Sequence, residues 1–319
     1  MVRPFTPGLR TRTPSPCHVN YLKRLIAKSS PVAFGLKKYS TQGALCTLSR
    51  DENDMLDLPT IGYVYLGEVP YRNALQLQNE IVSQRIKELY GSEGKYQKSD
   101  LLSDVLILLQ HPPVYTNGRR NKGKLSQTEI SELESLGSEY IETNRGGEIT
   151  FHGPGQLVGY PIINIKAHRI STRCYVEGLE KTIIDICKKF GIEASKLDGF
   201  PGVWTAPDRK VAAVGSHIRR FITSHGFAVN CTTDMGWFEK IIPCGLEGKY
   251  ATSLSQELKI KGYTIDPEEF SVKGVVQKTV ASFSEIYGTK VEPLFQVSPK
   301  TFEFIQDFLQ KSESGNNRL

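Results

Sequence analysis

Apolar and polar positions along this chain alternate between the spacing of helices and that of strands. Apolar residues recur at helical spacing over Tyr71–Tyr90, over residues 172–190 and again over residues 267–287 and 299–311. A near-continuous apolar run at 104–110 is typical of a strand buried on both faces. Shorter strands are predicted at 61–66, 140–143, 157–165, 202–205, 210–218 and 225–231. This order of elements favours an α/β or α+β layer structure in one domain.

Local signals place the ends of the shorter helices. Ser126 and Glu129 have the spacing of a capping box, which predicts a short helix over residues 126–136. Another capped helix is expected to begin near Ser253. Residues 236–241 are predicted to form a single helical turn.

The positive charge of the chain is concentrated at its N-terminus. The formal net charge is +6, yet residues 1–50 contain nine Lys or Arg and no Asp or Glu. The remaining residues carry 31 basic against 34 acidic side chains, which is near −3, so the overall charge does not indicate nucleic-acid binding. Residues 1–50 are also rich in Ser, Thr and Pro, as mitochondrial transit peptides are, although an unstructured tail with no targeting role has the same composition. We expect this segment to be unstructured and the mature chain to reside in the mitochondrial matrix.

The sequence predicts neither a membrane-spanning segment nor a metal site. No apolar run of about 18 residues occurs, so no membrane span is predicted. The six cysteines include no CxxC pair and no spacing suited to zinc, and no metal is expected.

The most unusual segment of the chain is RGGEITFHGPGQ, at residues 145–156. Five of its twelve residues are Gly or Pro, and the loop carries Arg145 and His152. Glycine permits close approach of the backbone to a ligand, so this loop is a candidate binding segment. A tight bend between two strands would require nothing more, and that interpretation also stands.

Two side chains are candidates for covalent and proton-transfer chemistry. Cys244 stands between Pro243 and Gly245 in a predicted loop, where a thiolate nucleophile can be presented, although an incidental loop cysteine would look the same. Lys210 begins an apolar strand. Apolar surroundings lower the pKa of an ammonium group, so this lysine is a candidate for proton exchange near neutral pH, although a solvated turn lysine would look the same. His152 is a candidate general base or hydrogen-bond donor, whereas His111 and His225 could equally be structural histidines whose hydrogen bonds are satisfied within the protein.

Several motifs occur in the order found in the lipoyl(octanoyl) transferases, which this chain resembles. They are HPPVYT (111–116), RGGEITFHGPGQ (145–156), GVW (202–204), KVAAVG (210–215), HGFAVN (225–230) and PCG (243–245). The resemblance covers residues 61–258, about two thirds of the chain. It divides the chain into a leader (1–50), a catalytic domain (58–260) and a C-terminal helical extension (261–319) that lies outside the family pattern.

The resemblance implies a fold and an activity. The fold would be that of the biotin and lipoate protein ligases, with a mixed central sheet and flanking helices. The activity would be transfer of an octanoyl group from acyl carrier protein to a lysine of lipoyl domains, in E2 subunits of 2-oxoacid dehydrogenases and in the glycine-cleavage H protein. Neither ATP nor a metal would be needed, because the donor thioester is already activated.

The resemblance also implies the roles of individual residues. Cys244 would form the acyl-enzyme, and Lys210 matches the family's catalytic lysine, which favours the thiolate and shuttles protons. Substrate contacts would come from Arg145, Gly146, Gly147, Glu148, Ile149, Thr150, Phe151 and His152, and from Ala213, Val214, Gly215, Gly226, Phe227 and Ala228.

Three other functions are compatible with parts of the pattern. An ATP-dependent lipoate–protein ligase would share the scaffold but would need no nucleophilic cysteine. A non-catalytic acyl-carrier-binding module would tolerate loss of Cys244 or Lys210. A thioester hydrolase would let water resolve the acyl-enzyme.

Overall fold

The computed structural model describes residues 58–91, 102–241 and 248–314. The predicted leader at 1–50 and the predicted nucleophile Cys244 lie outside the described residues. The strands are β1 (Ile61–Glu68), β2 (Val105–Gln110), β3 (Val114–Asn117), β4 (Glu139–Glu142), β5 (Thr150–His152), β6 (Gln156–Ile162), β7 (Ser195–Leu197), β8 (Phe200–Ala206), β9 (Arg209–Arg219), β10 (Ile222–Asn230), β11 (Tyr250–Ala251) and β12 (Val291–Pro293).

The helices flank these strands. They are α1 (Tyr71–Tyr90), α2 (Gln127–Ser135), α3 (Thr172–Lys189), α4 (Leu254–Ile260), α5 (Val272–Tyr287), α6 (Leu294–Val297) and α7 (Pro299–Glu313), with a 3₁₀ turn at Met235–Lys240. None of the helices in the described ranges is long and apolar enough to cross a membrane.

The described strands form two sheets. The larger has the order β12-β1-β2-β6-β10-β9-β8-β7, with β11 beside β9, and the smaller has the order β4-β3-β5. In the larger sheet β1 pairs in parallel with β2 and β12, whereas β2, β6, β10, β9 and β8 pair antiparallel in succession. The predicted mixed sheet with flanking helices is therefore confirmed.

The core consists of two apolar layers on opposite faces of the larger sheet. Leu106 and Leu108 of β2 point to the layer formed with α3 and α5, and Val105, Ile107 and Leu109 point to the layer formed with α1 and α7. Because successive side chains of a strand point to opposite faces, a strand covered on both sides must be apolar throughout. The run at 104–110 has its composition for this reason.

Each predicted strand overlaps an observed one, and the helix predicted at Tyr71–Tyr90 has those bounds. The capping box at Ser126 is also present, because the Ser126 side chain accepts from the Glu129 N–H and the Glu129 carboxylate accepts from the Ser126 N–H. The helix expected from residue 267 instead begins at Val272. There the Ser271 side chain caps the first turn by accepting from the Gly274 N–H.

Residues 261–319, which the sequence assigns to a C-terminal extension, take part in both core layers. Val275 and Phe283 of α5 are fully buried in one layer, and Ile305 of α7 is fully buried in the other. Strand β12 adds an edge to the larger sheet by pairing with β1. The described part of this segment is thus integral to the fold.

A buried ion pair joins helix α1 to the sheet. The Asp104 carboxylate lies 2.5 Å from Arg85 Nη2 and 2.7 Å from His168 Nε2, and it accepts from the Asn164 N–H. Burial alone would raise the pKa of Asp104, but Arg85 and the hydrogen bond from His168 outweigh it and hold that pKa below its ordinary value. Arg85 also donates to the Ile162 carbonyl at the end of β6.

We predict that Asp104→Asn lowers the free energy of unfolding by about 3–5 kcal/mol at neutral pH, because Arg85 is left as a buried charge without its counter-ion. Since the folded pKa of Asp104 is depressed, its contribution is complete above the ordinary Asp pKa of about 3.9 and is lost as the pH falls below it. Urea unfolding at several pH values measures both effects. The exposed Asp198→Asn is the control, and an Asp104→Asn variant as stable as this control would contradict the prediction.

Candidate active site

A cavity lies between the glycine-rich loop and the larger sheet. Its wall includes most of the predicted contact residues, namely Arg145, Gly147, Glu148, Ile149, Thr150, His152, Ala213, Val214, Gly215, Gly226, Phe227 and Ala228, together with Lys210. The structure thus brings together three segments that are far apart in the chain.

The floor of the cavity is built from small residues on two paired strands. Ala213 of β9 pairs with Ala228 of β10, and Gly215 pairs with Gly226. All four line the cavity. Ala213 and Ala228 contribute one methyl group each, and Gly226 allows the neighbouring backbone to approach, since an added Cβ would stand 2.3 Å from the Gly159 carbonyl oxygen. The absence of larger side chains at these four positions leaves a slot along the strands suited to an extended apolar chain.

The roof of the cavity is held by Arg145. This buried side chain donates from Nη2 to the backbone and hydroxyl oxygens of Thr116, at 2.7 and 2.8 Å, and from Nη1 to the Gly146 carbonyl. The Gly146 N–H in turn donates to the Ser216 carbonyl of β9. The approach is close enough that a Cβ on Gly215 would stand 2.9 Å from the Gly146 carbonyl oxygen.

The two ends of the cavity differ in exposure. Lys210 and Tyr250 line one end, where Tyr250 is 64% exposed. Tyr71, Tyr160 and His225 line the other, and each is at most 4% exposed. Lys210 is therefore at the mouth, and the slot closes at the tyrosines and His225.

The position of Lys210 depends on Gly202 and Trp204 of the neighbouring strand β8. The Lys210 Nζ lies 5.6 Å from the Trp204 ring centroid, within cation–π range. Gly202 has φ +105°, and a Cβ there would stand 2.6 Å from Lys210 Cε. The glycine thus provides both a backbone conformation that other residues rarely adopt and the space that the lysine side chain fills.

A second ammonium lies at the same mouth. Lys249 Nζ is 5.6 Å from the Trp204 centroid and 5.0 Å from that of Phe200. It also donates to the Pro207 carbonyl. Lys249 was not predicted from the sequence, and its closeness along the chain to Cys244 was the only available signal.

A chain of buried amides fixes the orientation of His152. Asn230 donates to the Thr252 carbonyl and accepts from Gln156, so the Gln156 oxygen is left to accept from His152 Nδ1 at 2.7 Å. The proton of the neutral ring is therefore assigned to Nδ1 from the network. Burial, then His111 and Arg145, hold the pKa of His152 well below its ordinary value, so the ring is neutral.

His111 is a satisfied structural histidine. Its Nδ1 donates to the Val69 carbonyl at 2.6 Å, which leaves Nε2 to accept from the Tyr160 hydroxyl at 2.7 Å. Burial lowers the pKa of His111 to about 4. Its ring lies edge-on to His152, and Tyr71, whose ring centroid is 4.9 Å from that of His111, stacks on His152 with a centroid distance of 5.8 Å.

Two of the predicted contact residues are not part of the cavity wall. Phe151 is fully buried and stacks on Trp237 at 4.9 Å, because alternation along β5 turns Thr150 and His152 to the cavity and Phe151 away from it. Phe151 thus supports the wall from behind. Gly146 contributes its backbone N–H to the contact with Ser216 and does not line the cavity.

The described chain reaches the cavity on both sides of the predicted nucleophile. Phe238 lines it before the undescribed residues 242–247, and Lys249 to Ala251 line it after them. Cys187 and Cys231 are fully buried, and burial raises the pKa of each to about 12, which disfavours the thiolate.

A model of the lipoyl protein ligase A/B catalytic domain matches residues 70–284. The chain is 43% identical over 222 residues to a mitochondrial octanoyl-[acyl-carrier-protein]:protein N-octanoyltransferase of Danio rerio, covering 70% of this chain and 90% of the relative. It is 42% identical over 227 residues to an octanoyltransferase of Mycobacterium tuberculosis, covering 70% of this chain and 86% of the relative. The chain belongs to the lipoyl protein ligase A/B family, as an octanoyltransferase.

The fold of this octanoyltransferase is shared with more distant proteins. A crystal structure of lipoate-protein ligase A bound with ATP superposes with a TM-score of 0.52 at 12% identity, covering 78% of this chain and 94% of that one. At this identity the likeness shows the fold alone. The octanoyltransferase is an acyltransferase, and its likeness to the mitochondrial relative, together with its basic N-terminal segment, indicates a mitochondrial protein.

We predict that Gly202→Ala lowers kcat/KM of the octanoyltransferase by about 100-fold, because the new Cβ would stand 2.5 Å from the Ala212 carbonyl oxygen and 2.6 Å from Lys210 Cε and would shift both strand β9 and the lysine at the cavity mouth. Gly199→Ala is the matched control, since Gly199 also has positive φ (+81°) but a Cβ added there would have no atom within 4 Å. Backbone strain of about 1–3 kcal/mol is expected in both variants, and the contact with the Ala212 carbonyl adds to it in Gly202→Ala.

Steady-state transfer rates and thermal unfolding of the two variants separate these effects. We expect both variants to lose stability, Gly202→Ala more than Gly199→Ala, and only folded Gly202→Ala to show a large loss of transfer rate. Equal rates in both variants would show that the position of Lys210 does not depend on Gly202.

Proposed function

We propose that this enzyme transfers the octanoyl group of octanoyl-acyl carrier protein to a lysine of a lipoyl domain through a thioester on Cys244. The placement of Lys210 carries the proposal: this lysine stands at the open mouth of a slot whose floor is Ala213, Gly215, Gly226 and Ala228. An alkyl chain fits along the floor with its thioester toward Lys210. The name of the relative of Danio rerio, which includes both the acyl carrier protein and the octanoyl group, supports the same donor.

In the first half-reaction, the Lys210 amine takes the proton of the Cys244 thiol. The thiolate attacks the carbonyl carbon of the octanoyl thioester, and the bond from that carbon to the phosphopantetheine sulfur of the carrier breaks. The carrier leaves as a thiol after it receives the proton back from Lys210. A thioester is exchanged for a thioester, so no energy source is consumed in this step.

In the second half-reaction, the neutral amine of the acceptor lysine attacks the Cys244 thioester. The carbon–sulfur bond breaks, an amide forms, and a proton passes from the attacking nitrogen through Lys210 to the Cys244 sulfur. Division of the transfer into two steps is the general benefit of covalent catalysis. The amide is more stable than the thioester, which makes the sequence favourable without ATP or a metal.

The acceptors we propose are the lipoyl domains of 2-oxoacid dehydrogenase E2 subunits and the glycine-cleavage H protein. Both reside in the mitochondrial matrix, and residues 1–50, with nine basic and no acidic side chains, would direct import there.

A fluorescent fusion of the full chain should co-localise with a matrix marker, and one that lacks residues 1–50 should remain cytosolic. Matrix localisation of the shortened fusion would show that the signal lies elsewhere.

We predict that purified enzyme modifies a lipoyl domain when given octanoyl-acyl carrier protein without ATP. Cys244→Ala should abolish the modification, because no acyl-enzyme forms. Lys210→Met, which keeps the length of the side chain but not its amine, should lower the rate by about 100- to 10,000-fold, the usual range for a lost acid–base group. Mass spectrometry of the acceptor domain measures the product.

Three outcomes would contradict the proposal. Modification that requires octanoate and ATP would identify a ligase. Full transfer by Cys244→Ala would remove the covalent mechanism, and release of free octanoate in place of acceptor modification would identify a hydrolase. Cys187→Ala serves as the matched cysteine control, since this thiol is buried in the apolar core and should not affect transfer chemistry.

A further inference from the structure

The inner end of the cavity contains a histidine in a strained backbone conformation. His225 has φ +54°, which residues other than glycine rarely adopt, and it is 4% exposed. His225 is one of the residues that line the cavity. Such strain persists only where the surroundings impose it, and it is concentrated at functional sites.

The surroundings that impose this conformation are Pro161 and Gln78. The pairing of β6 with β10 ends at Gly159 and Phe227, and two residues further the ladder would bring His225 opposite Pro161. Proline has no N–H and cannot extend the ladder. The His225 N–H turns to helix α1 and donates to the Gln78 side-chain oxygen at 2.7 Å.

Each of these two side chains also has a buried nitrogen without a hydrogen bond. Among the described residues, His225 Nδ1 and Gln78 Nε2 are sealed from solvent and lack a partner. Gln78 Nε2 is a donor, and the imidazole Nδ1 can accept when the ring proton is on Nε2. The groups are complementary, and a small rotation of the amide that already holds the His225 N–H lets Gln78 donate to Nδ1.

The ring is neutral, because burial and then the charge of Arg145 lower the pKa of His225 to about 3. When Gln78 donates to the sealed Nδ1, the single ring proton is on Nε2, at the other edge of the imidazole of this cavity-lining residue. The Tyr160 ring is perpendicular to that of His225, with a centroid distance of 6.4 Å.

We infer that His225 presents an Nε2–H donor at the inner end of the acyl slot, positioned by Gln78, and that this donor selects acyl chains by length and by the polarity of their far end. The inference rests on the function proposed above. His225 pairs with Ser216, six residues from Lys210 on β9, which is roughly 20 Å along the strand. With its thioester held near Lys210, an acyl chain longer than octanoyl extends further along the slot toward His225.

The chemistry of the far end then decides whether a longer chain is accepted. A methyl group against the His225 donor would leave that donor buried without a partner, whereas a hydroxyl group would accept from it. A site built around a donor discriminates against the analogue that lacks the acceptor. The inner end should therefore accept an acyl chain that ends in an oxygen and reject an aliphatic chain of the same length.

The test compares three donors on acyl carrier protein: octanoyl, decanoyl, and 9-hydroxynonanoyl, which has the length of decanoyl. With the wild-type enzyme, kcat/KM for the hydroxylated donor should exceed that for decanoyl by roughly tenfold. His225→Gly, which tolerates the positive φ, should abolish this ratio. Gln78→Met, which keeps the size of the side chain and removes its amide, should reduce the ratio even if His225→Gly does not fold.

The control variant is Gln76→Met on the same helix, whose partly exposed amide pairs with Glu80 and which does not line the cavity. This control should keep the wild-type ratio. Equal rates for the two long donors in the wild type, or an unchanged ratio in both His225→Gly and Gln78→Met, would overturn the inference while octanoyl transfer continued. Absence of octanoyl transfer by the wild type would overturn the proposed function, and the inference with it.

Discussion

The arrangement of this molecule depends most on the buried guanidinium of Arg145. Its hydrogen bonds to Thr116 connect the glycine-rich loop to β3 of the smaller sheet, and the Gly146 N–H connects the same loop to β9 of the larger one. A fork of charged donors satisfied by fixed oxygens allows little rotation. The loop is thereby held at close distance over a floor of alanines and glycines, and the slot exists because roof and floor are fixed independently of any ligand.

Polar groups are placed at the two ends of this slot, and small apolar residues lie between them. Lys210 and Lys249 meet on Trp204 at the mouth, where proton transfer and an anionic carrier arm are expected. At the closed end His225, Tyr71 and Tyr160 form a buried polar wall. Acyl transfer thus takes place at the mouth, and selection of the acyl chain takes place at the closed end, one alkyl chain away. This separation gives a physical reason why one end is exposed and the other sealed.

Much of the fold could be predicted from the sequence, because α1 and α3 are long and their apolar positions follow the helical period, while β2 is apolar almost throughout, as a strand buried on both faces must be. The loop at 145–156 and the strands at 210–215 and 225–230 were predicted as one site from their motifs. The turn at Arg220 and Phe221, where both residues have positive φ, was not predicted, since it lacks the Asn-Gly signal of such hairpins. The role of Gln78 was missed as well, although a glutamine on the apolar stripe of α1 is itself a signal of buried polar function.

The central claim is that the octanoyl group passes through Cys244, with its alkyl chain in the slot. The most direct measurement is the intact mass of the enzyme after it is mixed with octanoyl-acyl carrier protein, without ATP and without an acceptor. The account predicts a gain of one octanoyl group that is labile to hydroxylamine, maps to Cys244 by peptide mass spectrometry, and moves to a lipoyl domain added afterwards. An unchanged mass under single-turnover conditions that do support transfer to the acceptor would contradict the account.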